Sequence, residues 1–128
     1  MTETTAKYKV RLKYIPKVSE HVHQCHYFNW IRYAHPNILA FAIPNGGNRC
    51  AITGAMLKRE GVKPGIPDIM IASANGVYHG LFIEMKTENG RMTESQEAIK
   101  VKLESEGYRV EMCKGWEQAV KITQEYLK

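Results

Sequence analysis

Two apolar segments that carry charge limit what this chain can fold into more than any other feature. They are Gly65-Ile66-Pro67-Asp68-Ile69-Met70-Ile71 and Gly80-Leu81-Phe82-Ile83-Glu84-Met85-Lys86. Each has the short apolar run of a strand buried on both faces. Such a strand normally excludes carboxylates, because an unpaired buried charge costs several kcal/mol. Asp68, Glu84 and Lys86 therefore need a reason to be there.

The intervening Ala74-Asn75-Gly76 predicts a hairpin of strands 66–73 and 77–86. A two-residue Asn75-Gly76 loop would put Asp68 on the sheet face of Ile83. A three-residue loop with Gly76 left-handed pairs Ser73 with Val77 and sets Asp68 across from Phe82. Asp68, Glu84 and Lys86 then share one face, the two acids as diagonal neighbours. The three-residue loop, or a compensating bulge, is the expectation.

Two carboxylates converging beside a lysine can hold Mg²⁺ or Mn²⁺ through oxygen ligands, and the backbone carbonyl of Met85 can supply another. Such an ion lowers the pKa of a bound water and stabilises charge on a phosphate in line for displacement. Lys86 could orient or help deprotonate that water. The set fits phosphodiester hydrolysis. The bland alternative is that Asp68 ends a turn while Glu84 and Lys86 form an exposed ion pair worth under about 1 kcal/mol.

Upstream, residues 7–15 alternate charged and apolar side chains, as a strand with one basic face does, and Pro16 ends it. This is either a nucleic-acid or dimer arm or, more simply, an edge strand protected by its lysines. Residues 1–16 are set apart as that arm, and 17–128 as the main domain. Ser19 is an N-cap for a helix to about Tyr33, stopped by His35-Pro36. It carries Glu20 in its first turn, where an acid serves the helix dipole. His21 and His23 point about 200° apart around that helix and cannot easily share an ion.

Residues 38–43 read as a buried strand leading into Pro44-Asn45-Gly46-Gly47-Asn48-Arg49, which is either a plain turn or a backbone cradle for phosphate. A helix over about 50–60 ends at Gly61. Thr93-Glu94-Ser95-Gln96 has the form of a capping box and opens a helix to about Glu106. Residues 108–113 form a strand, and a helix over 116–127 closes the chain. The order implies an α/β fold: a mixed β-sheet with helices on both faces.

The chain has 128 residues and three widely spaced cysteines, which suggests one compact domain without a disulfide framework. The net charge of +5 favours a polyanionic partner. The polar opening is not a secretory signal and no apolar run would span a bilayer, so a cytoplasmic protein without a membrane partner is expected.

The Pro67-Asp68 and Glu84-Met85-Lys86 pairs resemble the PD-(D/E)XK nuclease superfamily. Residues 43–49, 57–68, 80–86 and 90–96, taken as ordered blocks, resemble more narrowly the VRR-NUC (virus-type replication-repair nuclease) domain. The resemblance implies a restriction-endonuclease-like core and a metal-dependent cut in DNA. It makes Asp68 and Glu84 metal ligands, Lys86 the catalytic lysine, Glu20 a helix-borne acid near the metal, and Gln96 a site glutamine. Single-domain members, common in phages and bacteria, resemble Holliday-junction resolvases. A homodimer acting on branched or flapped DNA in replication or repair is therefore implied, in a bacterial or phage-infected cell. Asn45, Arg49, Lys58, Lys63 and Arg91 are the candidate nucleic-acid contacts. The alternative is a non-catalytic nucleic-acid-binding domain that keeps the fold.

Overall fold

The computed structural model describes residues 18–44 and 51–128. The expected strand 7–15, the proposed boundary at residue 16, and Asn45 and Arg49 lie outside the described residues. Among those described, the order is α1 (Glu20–Ala34), β1 (Ala40–Ala42), α2 (Ala51–Arg59), β2 (Ile69–Ile71), β3 (Leu81–Lys86), α3 (Glu94–Ser105), β4 (Arg109–Lys114) and α4 (Trp116–Tyr126). The strands form one mixed sheet in the order β1-β2-β3-β4. β1 pairs antiparallel with β2 and β2 antiparallel with β3, whereas β4 is parallel to β3. α3 makes the crossover that this parallel pairing requires.

Local chemistry sets the helix starts. Ser19 Oγ accepts the Val22 N–H at 3.2 Å and opens α1. Thr93 and Gln96 cap α3 reciprocally. Residues paired directly across the ladders share a face. Ile69 with Ile83, Ile71 with Leu81, and Met85 with Cys113 thus make one apolar surface. Tyr27 and Ile31 of α1 and Ala119 and Tyr126 of α4 close over it. The Tyr27 hydroxyl meets Thr123 Oγ1 at 2.7 Å inside this layer, so the polar groups buried between the two helices satisfy each other. α3 lies against the opposite face, which carries Phe82, Glu84 and Lys86.

Two expectations need correction. The three-residue turn at Ala74 to Gly76 does not form, and residues 72–80 make a longer connection. Gly76 is left-handed, at φ +87°. The Asn75 side chain explains the loop: its Oδ1 accepts the N–H groups of Val77 and Tyr78 at 3.0 and 2.7 Å, and its Nδ2 donates to the Tyr126 carbonyl at 3.1 Å. The Tyr126 hydroxyl donates to the Ser73 carbonyl at 2.6 Å, and the His79 N–H to Gly107 at 2.8 Å. Polar groups that a tight hairpin would pair with each other are thereby held by α4 and by the turn before β4. The register consequently moves by two residues, to Ile69 with Ile83 and Met70 with Phe82. An even shift keeps every side chain on its face.

The second correction concerns residues 38–43, expected as a buried strand. Among the described residues β1 is a three-residue strand bonded to β2 alone, and Leu39 and Phe41 are 63% and 39% exposed.

Candidate active site

Asp68 immediately precedes β2, and the ladder carried one residue beyond Ile69 and Ile83 sets it opposite Glu84. This is closer than the expected diagonal. Asp68 Oδ2 accepts the Met85 N–H at 2.9 Å, which ties the acid to β3. The Asp68 carbonyl accepts the Ile43 N–H at 2.7 Å and ties the same residue to the end of β1.

Glu84 is only 3% exposed, in the middle of the sheet. Its Oε1 accepts from Gln96 Nε2 at 2.7 Å and stands 3.6 Å from Lys86 Nζ. Its Oε2 is buried and has no hydrogen-bond partner among the described residues. Glu84 and Lys86 thus form a largely buried pair, not the exposed edge bridge of the bland reading.

Gln96 performs two tasks. Its Oε1 accepts the Thr93 N–H at 2.8 Å as half of the capping box, while its Nε2 holds Glu84. The cap fixes the rotamer that aims the amide at the carboxylate. Gly65 packs beneath: a Cβ there would fall 2.5 Å from the Ser95 carbonyl oxygen. Gly90 leaves room for the Lys86 stem, since a Cβ there would fall 3.0 Å from Lys86 Cβ.

The electrostatics follow from burial and crowding. Burial pushes the Glu84 carboxyl up to about 7, and repulsion from Asp68 adds to it, while Lys86 opposes it. Asp68 is raised by burial, less the stabilising Met85 N–H, with Glu20 raising it further. Like charges held this close resist joint ionisation.

Glu20 lies at the start of α1 and, with Asp68, lines a cleft of about 450 Å³ that also includes Gln24, Phe28 and Arg32. Among the described residues no three His, Cys, Asp or Glu side chains stand together as a metal-holding group. The Glu20 charge nevertheless raises both Asp68 and Glu84, which sets it within electrostatic reach of the pair. Lys58, Lys63 and Arg91 are exposed, and no hydrogen bond or ion pair among the described residues ties them to the carboxylates.

Of the α1 stripe along this cleft, the sequence places Glu20 and Gln24 one turn apart on one face, with Tyr27 or Phe28 and Ile31 continuing it; the structure puts Phe28 in the cleft wall and Tyr27 and Ile31 in the core, and adds His21, Cys25, Asn29 and Arg32 to the wall. Its signal is the spacing of Glu20, His21, Gln24, Cys25, Phe28, Asn29 and Arg32, which recurs every three or four residues on one side of a helix whose core side is Tyr27 and Ile31.

The carboxylate pair fits a hard divalent cation. A buried, unpartnered carboxylate oxygen at Glu84 and a neighbouring acid with its own charge raised in energy are what a cation would satisfy. Asp68 and Glu84, with the Met85 carbonyl between Glu84 and Lys86, are groups that could hold one.

Comparison with known proteins agrees with this arrangement. The VRR-NUC domain matches residues 4–117, a span that takes in the opening basic segment. A solved structure described as "VRR_NUC domain protein" is similar, with a TM-score of 0.74 and 29% sequence identity over 88% of this chain and 90% of that one. Among curated proteins none matches.

Proposed function

Since this chain belongs to the VRR-NUC domain family, whose fold is that of nucleases, we propose that it is a Mg²⁺- or Mn²⁺-dependent DNA endonuclease acting on branched or flapped DNA. The observation that carries this is Glu84: buried, held on Oε1 by Gln96 and Lys86, opposite Asp68, and with an Oε2 that has no partner among the described residues. A structural ion pair has no use for an unpartnered buried oxygen, whose desolvation costs about 1–3 kcal/mol or more.

A bound divalent cation would supply a water of lowered pKa and charge stabilisation at the scissile phosphate. Asp68 and Glu84 would hold that cation with the Met85 carbonyl. Gln96 fixes which Glu84 oxygen stays free. Lys86 orients the attacking water and offsets the charge that develops on the phosphate. Glu20, across the cleft from Asp68, acts on the waters of the site rather than as a direct third carboxylate. A homodimer would present two such sites to a symmetric four-way substrate.

The test is to incubate duplex, flap and four-way-junction DNA with protein and Mn²⁺, alongside Asp68→Ala and Lys86→Ala. Each variant is expected to lose on the order of 100-fold or more in cutting rate. Equal cutting by all three proteins would remove Asp68 and Lys86 from the chemistry. Tight, metal-independent binding without any cutting would point instead to a binding module. Light scattering on the same samples should give twice the chain mass, and a monomeric mass at micromolar concentration would speak against paired sites.

A further inference from the structure

Gln24, Phe28 and Arg32 follow one another at intervals of four along α1 and make one ridge in the wall of the cleft that Asp68 also lines. The cleft volume of about 450 Å³ falls within the roughly 300–1,000 Å³ of small-ligand sites. The Arg32 guanidinium lies over the Phe28 ring, with Cζ 5.5 Å from the ring centroid. Phe28 itself packs against the core and meets Tyr27 edge to face at 5.6 Å, so the ring beneath Arg32 is held in place. Arg32 is exposed, which leaves its guanidinium open to a flat ligand.

Two acids, Glu20 and Asp68, line the same cleft, yet among the described residues neither forms an ion pair with Arg32. Gln24 and Asn29 stand on this wall with amides that no hydrogen bond among the described residues engages. Such amides can both donate and accept. The two acids repel a phosphate but not an uncharged base. An aromatic ring with a guanidinium over it is the kind of platform on which bases stack once they leave a duplex.

We propose that this wall is a nucleobase subsite, where the base of an unpaired nucleotide next to the scissile phosphate stacks on the Phe28–Arg32 pair and meets the Gln24 and Asn29 amides with its edge. A paired base has its edge taken by its partner and its faces by its neighbours. The subsite therefore selects DNA with unpaired nucleotides at a branch over intact duplex. That the ligand is DNA rests on the endonuclease reading. The simpler account gives Arg32 to the dipole at the end of α1 and Phe28 to the core. It predicts binding that is indifferent to the base.

Anisotropy in EDTA with the full chain separates the two. A labelled flap DNA is compared with the same flap carrying abasic residues at the unpaired positions next to the branch, which removes bases and keeps phosphates. The parent should bind the abasic flap about tenfold more weakly. Phe28→Leu keeps the apolar bulk and Arg32→Lys keeps the charge, yet in each the two flaps should bind within about twofold of one another. Urea midpoints identify the variants that fold; Arg32→Lys, at an exposed position, decides the matter if Phe28→Leu does not. Equal binding of both flaps by the parent, or an undiminished preference in either folded variant, would overturn the subsite. Cutting of the intact flap in Mn²⁺ is measured on the same proteins. A base preference in a chain that cuts nothing would leave the subsite standing and the endonuclease reading fallen; cutting without a base preference would do the reverse.

Discussion

Glu84 gathers the largest share of opposed forces in the molecule. Its carboxyl titrates at about 7 in the fold against an ordinary 4.5. Between those values the native state binds more protons than the unfolded chain, so this group's contribution to stability is full below about pH 4.5 and is lost as the pH rises through about 7. In EDTA, urea unfolding of the parent relative to Glu84→Gln should show a loss on the order of 1–3 kcal/mol from pH 5 to 8. Mg²⁺ should restore part of it at the upper end. A parent-to-variant difference that is flat with pH would mean that the buried carboxylate is already compensated without a cation. Gln96 can be tested separately from its helix. Thr93→Ala removes the acceptor of the Gln96 N–H but leaves the Gln96 amide on Glu84, so it should cost about 1 kcal/mol of stability and little cutting. Gln96→Ala removes cap and carboxylate partner together, and should lower cutting about tenfold or more beyond any loss in Thr93→Ala. Equal effects on cutting would reduce Gln96 to its capping role.

At the scale of elements, the site depends on where α3 begins. Gly65 has φ +92°, and a Cβ would lie 2.5 Å from the Ser95 oxygen and 3.1 Å from the Gln96 nitrogen. Gly65→Ala should therefore cost about 2 kcal/mol or more through strain and overlap. It should also slow cutting although it adds no group to the cleft, because relief of the clash moves Gln96 off Glu84. Urea midpoints together with single-turnover rates check both; full activity at reduced stability would show that α3 can shift without carrying Gln96. What could be read beforehand follows the range of the interactions. Ser19 and Thr93 act on N–H groups three residues away, so both helix starts were legible. The shared face of Asp68 and Glu84 was legible as a parity. The register itself was not, because residues 72–80 are held by Tyr126 and Gly107, which lie distant in sequence. The exposure of β1 was not legible either. An apolar run does not encode whether it has one neighbouring strand or two, and among the described residues only the sheet order leaves β1 with β2 alone.

Over the whole molecule, 18 basic against 13 acidic residues give a net charge of +5, yet the site is locally acidic, with Asp68 and Glu84 against Lys86 and with Glu20 across the cleft. Without a divalent cation that locus repels a phosphate, so attraction to DNA has to come from elsewhere on the surface. On the endonuclease reading, the exposed Lys58 and Lys63 around the end of α2 and Arg91 before α3 are the groups proposed to supply it. Anisotropy with a labelled four-way junction and Asp68→Ala, a background expected not to cut, measures this directly. The logarithm of affinity should fall linearly with the logarithm of salt concentration, by about 0.9 for each phosphate neutralised on duplex arms. Each of Lys58→Ala, Lys63→Ala and Arg91→Ala should reduce the slope by about 1 while weakening flap, duplex and junction alike, as phosphate contacts do. An unchanged slope in all three would put the DNA on another face. A loss confined to the junction would mean that these side chains read branch geometry as well as charge. In either case the division of labour holds physically: a buried acidic pair that binds DNA poorly by itself requires a basic surface outside it, and a chain of net positive charge can meet that requirement without neutralising the pair.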